Sequence, residues 1–159
     1  MFQLISIIII GILIAADRIT KYAVETALAG GETKEFLFGL FRLRYVENTG
    51  AAFSSFSGNR AVLIVFTSLA IALCLFVLLK KKSLFVSACL ILITAGGIGN
   101  LIDRITDGFV VDFIEPMFMN FAVFNVADIF ITVGAIMLIV YEIYLLIKEK
   151  KNGKGKDDA

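Results

Sequence analysis

The charged residues of this chain leave long stretches empty, and that spacing limits the possible folds more than any other feature. Met1 to Ala16 carries no charge, Ala61 to Leu79 gives 19 uncharged residues closed by Lys80-Lys81-Lys82, and Ser83 to Ile102 gives 20 more. A helix that crosses a bilayer needs about 20 apolar residues. Lipid admits only helices or closed barrels, because no water is there to satisfy a free backbone group. Only 18% of the 159 residues are charged, against roughly a quarter in a soluble domain. With one Pro and a mean hydropathy of +0.92, these runs are expected to be helices.

The expected fold is an all-α integral membrane protein with four transmembrane helices, spanning about 3–24, 60–79, 83–102 and 121–147. The last carries Asp128 near its start and Glu142 near its end. Residues 1–147 then form a single membrane domain, followed by a Lys-rich tail, 148–159, expected to be disordered. Met1 to Ala16 resembles a signal peptide in length, but it has no basic leading segment and its helical pattern continues through Asp17-Arg18-Ile19-Thr20-Lys21, so it is expected to stay uncleaved. Lys and Arg gather on the cytoplasmic side of membrane proteins. The 80–82 loop and the tail hold eight of them, so that the inner side, Glu142 included, has eight against four acids, while the opposite side holds seven against ten. Both termini are therefore expected in the cytoplasm.

The segment between the first two spans, about 34–58, reads differently. Phe41, Leu43 and Tyr45 alternate with Arg42, Arg44 and Val46, the period-two pattern of a strand. Glu47-Asn48-Thr49-Gly50 reads as a turn, with Ala51-Ala52-Phe53 starting a second extended piece. A small extracytoplasmic β-sheet is predicted here. Its apolar face, Phe36, Phe38 and Phe41, is expected against the bilayer or over the helix ends.

Absences narrow the chemistry. Without His, the Ser-His and Cys-His nucleophilic pairs and imidazole metal sites are excluded. Cys74 and Cys89 lie in apolar runs and read as inert buried thiols. No metal or cofactor is expected. A formal net charge of +1 argues against a nucleic-acid partner.

At about 1.5 Å per helical residue, Asp17, Lys21, Asn100, Asp103, Arg104, Asp112, Asn125 and Asp128 reach one level, the outer boundary of the hydrocarbon. Ionisable groups at that depth are costly and are commonly paired or functional. Asp17 and Lys21, at i and i+4, read as a helix-surface ion pair and as scaffold. Asp103-Arg104 also reads as an interfacial anchor, and Gly96, Gly97 and Gly99 as a helix-packing patch. Asp128 sits among apolar neighbours and needs a partner or a task. Asp112, in Val110-Val111-Asp112-Phe113, is the candidate. Two carboxylates held close share a proton, so one takes a proton from water while the other donates to a carbonyl oxygen.

Asp17-x-x-Thr20-Lys21, Asn48-x-Gly50-x-Ala52-Phe53, Gly96-Gly97-x-Gly99-Asn100-x-x-Asp103-Arg104, Val110-Val111-Asp112-Phe113 and Phe124-Asn125-x-Ala127-Asp128 follow one another in order. Together they resemble the motif series of the bacterial lipoprotein signal peptidases (signal peptidase II). That resemblance implies a membrane aspartic endopeptidase of the bacterial inner membrane, which cuts prolipoproteins before a diacylglyceryl-modified Cys. It implies that Asp112 and Asp128 are catalytic, that Asn48, Gly50, Asn100, Asp103, Arg104 and Asn125 line or brace the site, and that the outer sheet cradles substrate. It further implies inhibition by globomycin-type cyclic peptides and contact with membrane lipid; a monomer is expected.

Two other readings compete. A proton- or ion-coupled transporter or channel subunit wants acids distributed across the membrane, whereas all but Glu142 of the membrane acids cluster near one face. A Ser-Lys peptidase would pair Lys21 with Ser54, Ser55 or Ser57, but Lys21 already has an acid one turn away.

Overall fold

The computed structural model describes residues 2–50, 59–80 and 83–157, with the side chains of 153–157 left aside. Its elements run α1 (Phe2–Leu28), β1 (Thr33–Phe36), β2 (Phe41–Asn48), α2 (Arg60–Lys80), α3 (Leu84–Thr106), β3 (Val110–Pro116) and α4 (Val126–Asp157). All four helices are long and apolar enough to cross a membrane. Ala51-Ala52-Phe53, Ser54, Ser55, Ser57, Lys81 and Lys82 lie outside the described residues.

The bundle is arranged around α3. In its most apolar stretch 61% of residues are buried within the protein, against 17% in α1 and α2 and 6% in α4. The small residues explain this position. A Cβ on Gly96 would collide with the carbonyl oxygen of Ala127, and one on Gly99 would lie 2.5 Å from Asp17 Oδ2. Only glycine lets α1 and α4 approach α3 so closely. The outer faces of the bundle carry exposed Ile, Leu, Val and Phe, the surface that lipid solvates. Away from the sheet, Ile10, Leu78, Val86, Leu90 and Ile91 close the other end.

The helix ends differ from the sequence reading in physically simple ways. α3 runs on through Asp103 and Arg104 to Thr106, because the charges that close an apolar run do not break a helix. α4 begins at Val126 rather than 121, since Phe124 is engaged in an antiparallel bridge with Ile114. At the other end α4 continues past 147 to Asp157. The expected disorder of that tail is therefore corrected: Lys148 to Lys151 are good helix formers and carry the helix beyond the apolar run, and it continues through Gly153 and Gly155 to Asp157.

The sheet has the order β1-β2-β3, antiparallel throughout. The alternating segment from Phe41 forms β2, as predicted, but its partner strand there is β1, ahead of it in the chain and not read as a strand in the sequence, and β3 is added from the chain after α3. Between Leu43 and Val46 the register with β3 shifts, β2 holding one residue more than its partner. Such a bulge bends a strand and increases its twist, and here it precedes the turn that carries Asn48. Arg42 faces Glu115 across the sheet, its Nε donating to Glu115 Oε2 at 2.7 Å, and Arg44 Nε lies 3.0 Å from the same oxygen. At the hairpin tip Leu37 and Phe38 adopt positive φ (49° and 58°), and Phe38 is fully exposed.

Candidate active site

Asp112 lies on β3, paired in register with Val46 of β2, and is buried to 1% exposure. Two amides hold it. Asn48 Nδ2 donates to Asp112 Oδ2 at 2.7 Å, and Asn125 Nδ2 donates to Asp112 Oδ1 at 2.7 Å. The orientation of Asn48 is set locally, because the N–H of Gly50 donates to Asn48 Oδ1 at 2.9 Å, an Asx-turn that turns the amino side of the amide toward Asp112.

Asp128 reaches the same place from α4. After β3 the chain loops back so that the N–H groups of Phe113 and Ile114 both donate to Phe124 O, and Phe124 N–H donates to Ile114 O. This return sets Asn125 beside Asp112. Asn125 is then the cap of α4: Asp128 N–H donates to Asn125 Oδ1 at 2.9 Å, and Asn125 N–H donates to Asp128 Oδ2 at 3.1 Å. The reciprocal pair is a capping box. Asn100 Nδ2 completes the set, donating to Asp128 Oδ1 at 2.7 Å. Each of the four carboxylate oxygens thus accepts from an N–H group.

Burial pushes the Asp112 carboxyl up to about 7, and the charge of Asp128 adds to the shift; the amides of Asn48 and Asn125 and the charge of Lys21 oppose it. A carboxyl in that range is part protonated at neutral pH, as an acid-base pair requires. The two acids also open differently. Asp112 borders a hollow of about 450 Å³ with Glu47, Asn48, Thr49 and Asn120. Half-buried Asp128 borders an apolar one of about 330 Å³ with Phe121, Phe124, Ile129 and Val133.

Behind the carboxylates lies a buried ionic cluster. Lys21 Nζ stands 2.9 Å from Asp17 Oδ2 and 2.7 Å from Asp103 Oδ2, and it donates to Asn100 Oδ1 at 2.8 Å. Arg18 pairs with Asp103 from the outside. Lys21 is 2% exposed and Asp17 and Asp103 are 0% exposed. The Asp17–Lys21 pair is therefore an interior one, because α3 covers it, and not the helix-surface pair its spacing suggested. Asp103 is likewise enclosed and is not an interfacial anchor. Arg104 ties the turn after β2 to α3, with Nη2 donating to Gly50 O at 2.9 Å and Nη1 to Asn100 O at 3.3 Å, and its charge faces Asp128 and Asp112.

All ten residues singled out in the sequence, Asp17, Lys21, Asn48, Gly50, Asn100, Asp103, Arg104, Asp112, Asn125 and Asp128, meet in this one connected network. Two contributions were not anticipated. Arg18 was counted only as an outer-side charge. The N–H of Ala127, which donates to Asp17 Oδ1 at 3.0 Å, leaves no mark in sequence. The Asn125-x-x-Asp128 spacing was itself a legible capping signal. Among the described residues, no group of three or more Cys, Asp or Glu side chains is placed to hold a metal ion.

The family model for signal peptidase (SPase) II matches residues 9–144. The lipoprotein signal peptidase of Enterococcus faecalis is 39% identical over 152 residues, covering 94% of this chain and 92% of its own. That of Lactococcus lactis subsp. cremoris is 40% identical over 141 residues, covering 88% and 94%. A solved structure, described as a bacterial membrane enzyme obtained by the in meso method at 2.3 Å resolution, superposes with a TM-score of 0.82 at 31% identity, over 92% of this chain and 90% of that one. With a family match across most of its length and relatives at this identity, the chain belongs to the signal peptidase II family.

Proposed function

We propose that this protein removes signal peptides from prolipoproteins, cutting before a diacylglyceryl-modified Cys, with Asp112 and Asp128 as the acid-base pair. The observation that carries the reading is the convergence of two carboxylates from β3 and α4 on one residue, Asn125, whose side-chain Nδ2 serves Asp112 and whose backbone N–H serves Asp128. Asp128, as carboxylate, takes a proton from water as the water oxygen attacks the scissile carbonyl carbon. Asp112, as the acid, gives its proton to the carbonyl oxygen. The tetrahedral diol collapses when the proton held by Asp128 passes to the cysteine nitrogen, the C–N bond breaks, and Asp112 takes a proton back from one diol hydroxyl as the C=O re-forms, which restores both carboxyls and leaves a carboxylic acid that ionises in water. The products are a signal-peptide carboxylate and a free cysteine amine. No other nucleophile is needed.

The Lys and Arg asymmetry supports a topology with both termini in the cytoplasm and the dyad at the extracytoplasmic face of the inner membrane. A lipidated substrate then reaches the site by lateral diffusion. The apolar hollow against Asp128, and a second of about 580 Å³ lined by Leu63, Phe66, Ile71, Ile93 and Ile131, offer surface for acyl chains or the signal-peptide helix. Each buried methylene is worth about 0.8 kcal/mol. In this reading the outer sheet receives the peptide backbone while Asn48 holds Asp112, globomycin-type cyclic peptides are expected to compete for the same surface, and a monomer suffices. Clustering of the acids at one end disfavours a transporter.

The test is cleavage of a defined lipidated precursor by the purified full chain in detergent. Asp112→Asn and Asp128→Asn are each expected to lower kcat by about 100-fold or more while the protein stays folded. Full activity in either variant rules out the dyad. Conversion without an ion gradient separates peptidase from transporter.

A further inference from the structure

Lys21 touches neither carboxylate of the dyad, yet the hydrogen bonds around it are directional. An ammonium has three donors and no acceptor. With Asp17 and Asp103 on two sides of it, its remaining neighbour is Asn100 Oδ1, at 2.8 Å. The same oxygen also receives Asn125 Nδ2 at 3.1 Å. Two donors on that oxygen leave the Asn100 amide one orientation, with Nδ2 toward Asp128 Oδ1 at 2.7 Å. A flipped amide would set an oxygen against Asp128 and nitrogen against an ammonium. Among the described residues, Asp112 is held by Asn48, itself fixed by a backbone N–H, and by Asn125, whose Nδ2 is shared with Asn100 Oδ1, so no amide is pinned to it directly by a buried cation.

Resting on the dyad reading above, we infer that Lys21 is a positioning residue that acts through Asn100 to decide which member of the dyad carries the proton. By pinning the Asn100 amide it presents an N–H to Asp128 and keeps Asp128 the ionised member, so Asp112 is left to hold the acid proton. The groups facing Lys21 are Asp17 and Arg18 from α1, Asn100, Asp103 and Arg104 from α3, and, beyond the Asn100 amide, Asp128 of α4 and Asp112 of β3. Asp17 and Asp103 offset part of the Lys21 charge, and what remains draws Asp112 toward ionisation, so the bias toward an ionised Asp128 is carried by the direction of the amide.

The experiment is the pH profile of kcat for the full chain in detergent with a lipidated precursor, in wild type, Lys21→Met and Asn100→Asp. Lys21→Met removes the donor that pins Asn100. Asn100→Asp keeps an oxygen for Lys21 and replaces the N–H facing Asp128 by a second oxygen. In both, the acid limb of the profile is expected to move up by at least one pH unit, which is a tenfold or greater loss of kcat at pH values on that limb, with kcat above the limb and KM within twofold. An acid limb at its wild-type position in a folded variant overturns the relay. Should Lys21→Met fail to fold, Asn100→Asp decides; if that protein also fails to fold, Asn100 is a scaffold residue and the relay is wrong. Failure of the dyad reading looks different, as activity surviving in Asp112→Asn or Asp128→Asn.

Discussion

Asp17 Oδ1 accepts the backbone N–H of Ala127 at 3.0 Å, so the first helix caps the last one a single residue before Asp128. The acceptor is 110 residues away from its donor, and the same carboxylate pairs with Lys21 through its other oxygen. Losing an N-cap costs about 1 kcal/mol, and removing one partner of a buried ion pair costs about 3–5 kcal/mol. Asp17→Ala is therefore expected to lower stability by about 3 kcal/mol or more and to reduce cleavage. Asp17→Asn, which keeps an acceptor for Ala127, is expected to lose less. Thermal unfolding in detergent ranks the two, and equal Tm values for both variants and wild type would remove the cap from the account.

Close approach of the helices makes a second prediction. Gly96→Ala drives a methyl into Ala127 O and Gly99→Ala drives one to 2.5 Å from Asp17 Oδ2, whereas a Cβ on Gly11 meets nothing within 4 Å. Overpacking of this kind costs about 1–3 kcal/mol. Both α3 variants are expected to lose activity by tenfold or more, because the displaced atoms carry the cap beside Asp128. Gly11→Ala is expected to cleave at the wild-type rate. The three rates measured side by side check this.

The third concerns pH. The Asp112 carboxyl is pushed up to about 7 by burial and by Asp128. If Asp112 must enter the reaction protonated, kcat falls as pH rises through about 7, with the slope of one proton. The same shift also bears on folding. A carboxyl that holds its proton more tightly when folded favours the folded state most below its ordinary range near 3.8, and that contribution is lost as pH rises through about 7. A kcat profile flat from pH 6 to 9 would remove Asp112 from the role of acid.

Thiol chemistry supplies a fourth. Cys89 is buried and Cys74 half-buried, both among apolar side chains, and neither forms a disulfide. Maleimide treatment of the folded enzyme is expected to leave the cleavage rate within twofold. Cys74→Ala/Cys89→Ala is expected to be active, with stability lower by about 1–2 kcal/mol for the lost volume. Inactivation by the reagent that the double variant escapes would point to a thiol role.

The membrane class, the four spans and the level at which the polar residues meet were legible because charge is expensive in lipid, so its placement in sequence is informative. Asp128 stood out for the same reason. β3 was not read as a strand: Val110 to Ile114 is apolar apart from Asp112 and shows no alternation, since both faces are covered. The start of α4 was misplaced because hydropathy continues across Phe121 to Phe124, where the backbone turns back to pair with Ile114. Asp17 and Lys21 read as a surface pair because helical spacing reveals that two residues meet and says nothing of what covers them. What covers them is α3, whose glycines were read as packing alone.

The order of the elements along the chain has a consequence for biosynthesis. Asp112 follows three of the helices, and Asn125 and Asp128 sit at the opening turn of the fourth. Translation runs from the amino terminus and elements fold in that direction. A nascent chain that has inserted only α1, α2 and α3 holds the Lys21 cluster and Asn100 but has neither the cap nor the second carboxylate. With Asp112 and Asp128 as the proposed pair, hydrolytic competence arrives with the final membrane insertion, and a truncated product stranded in the bilayer is a scaffold without an edge to cut.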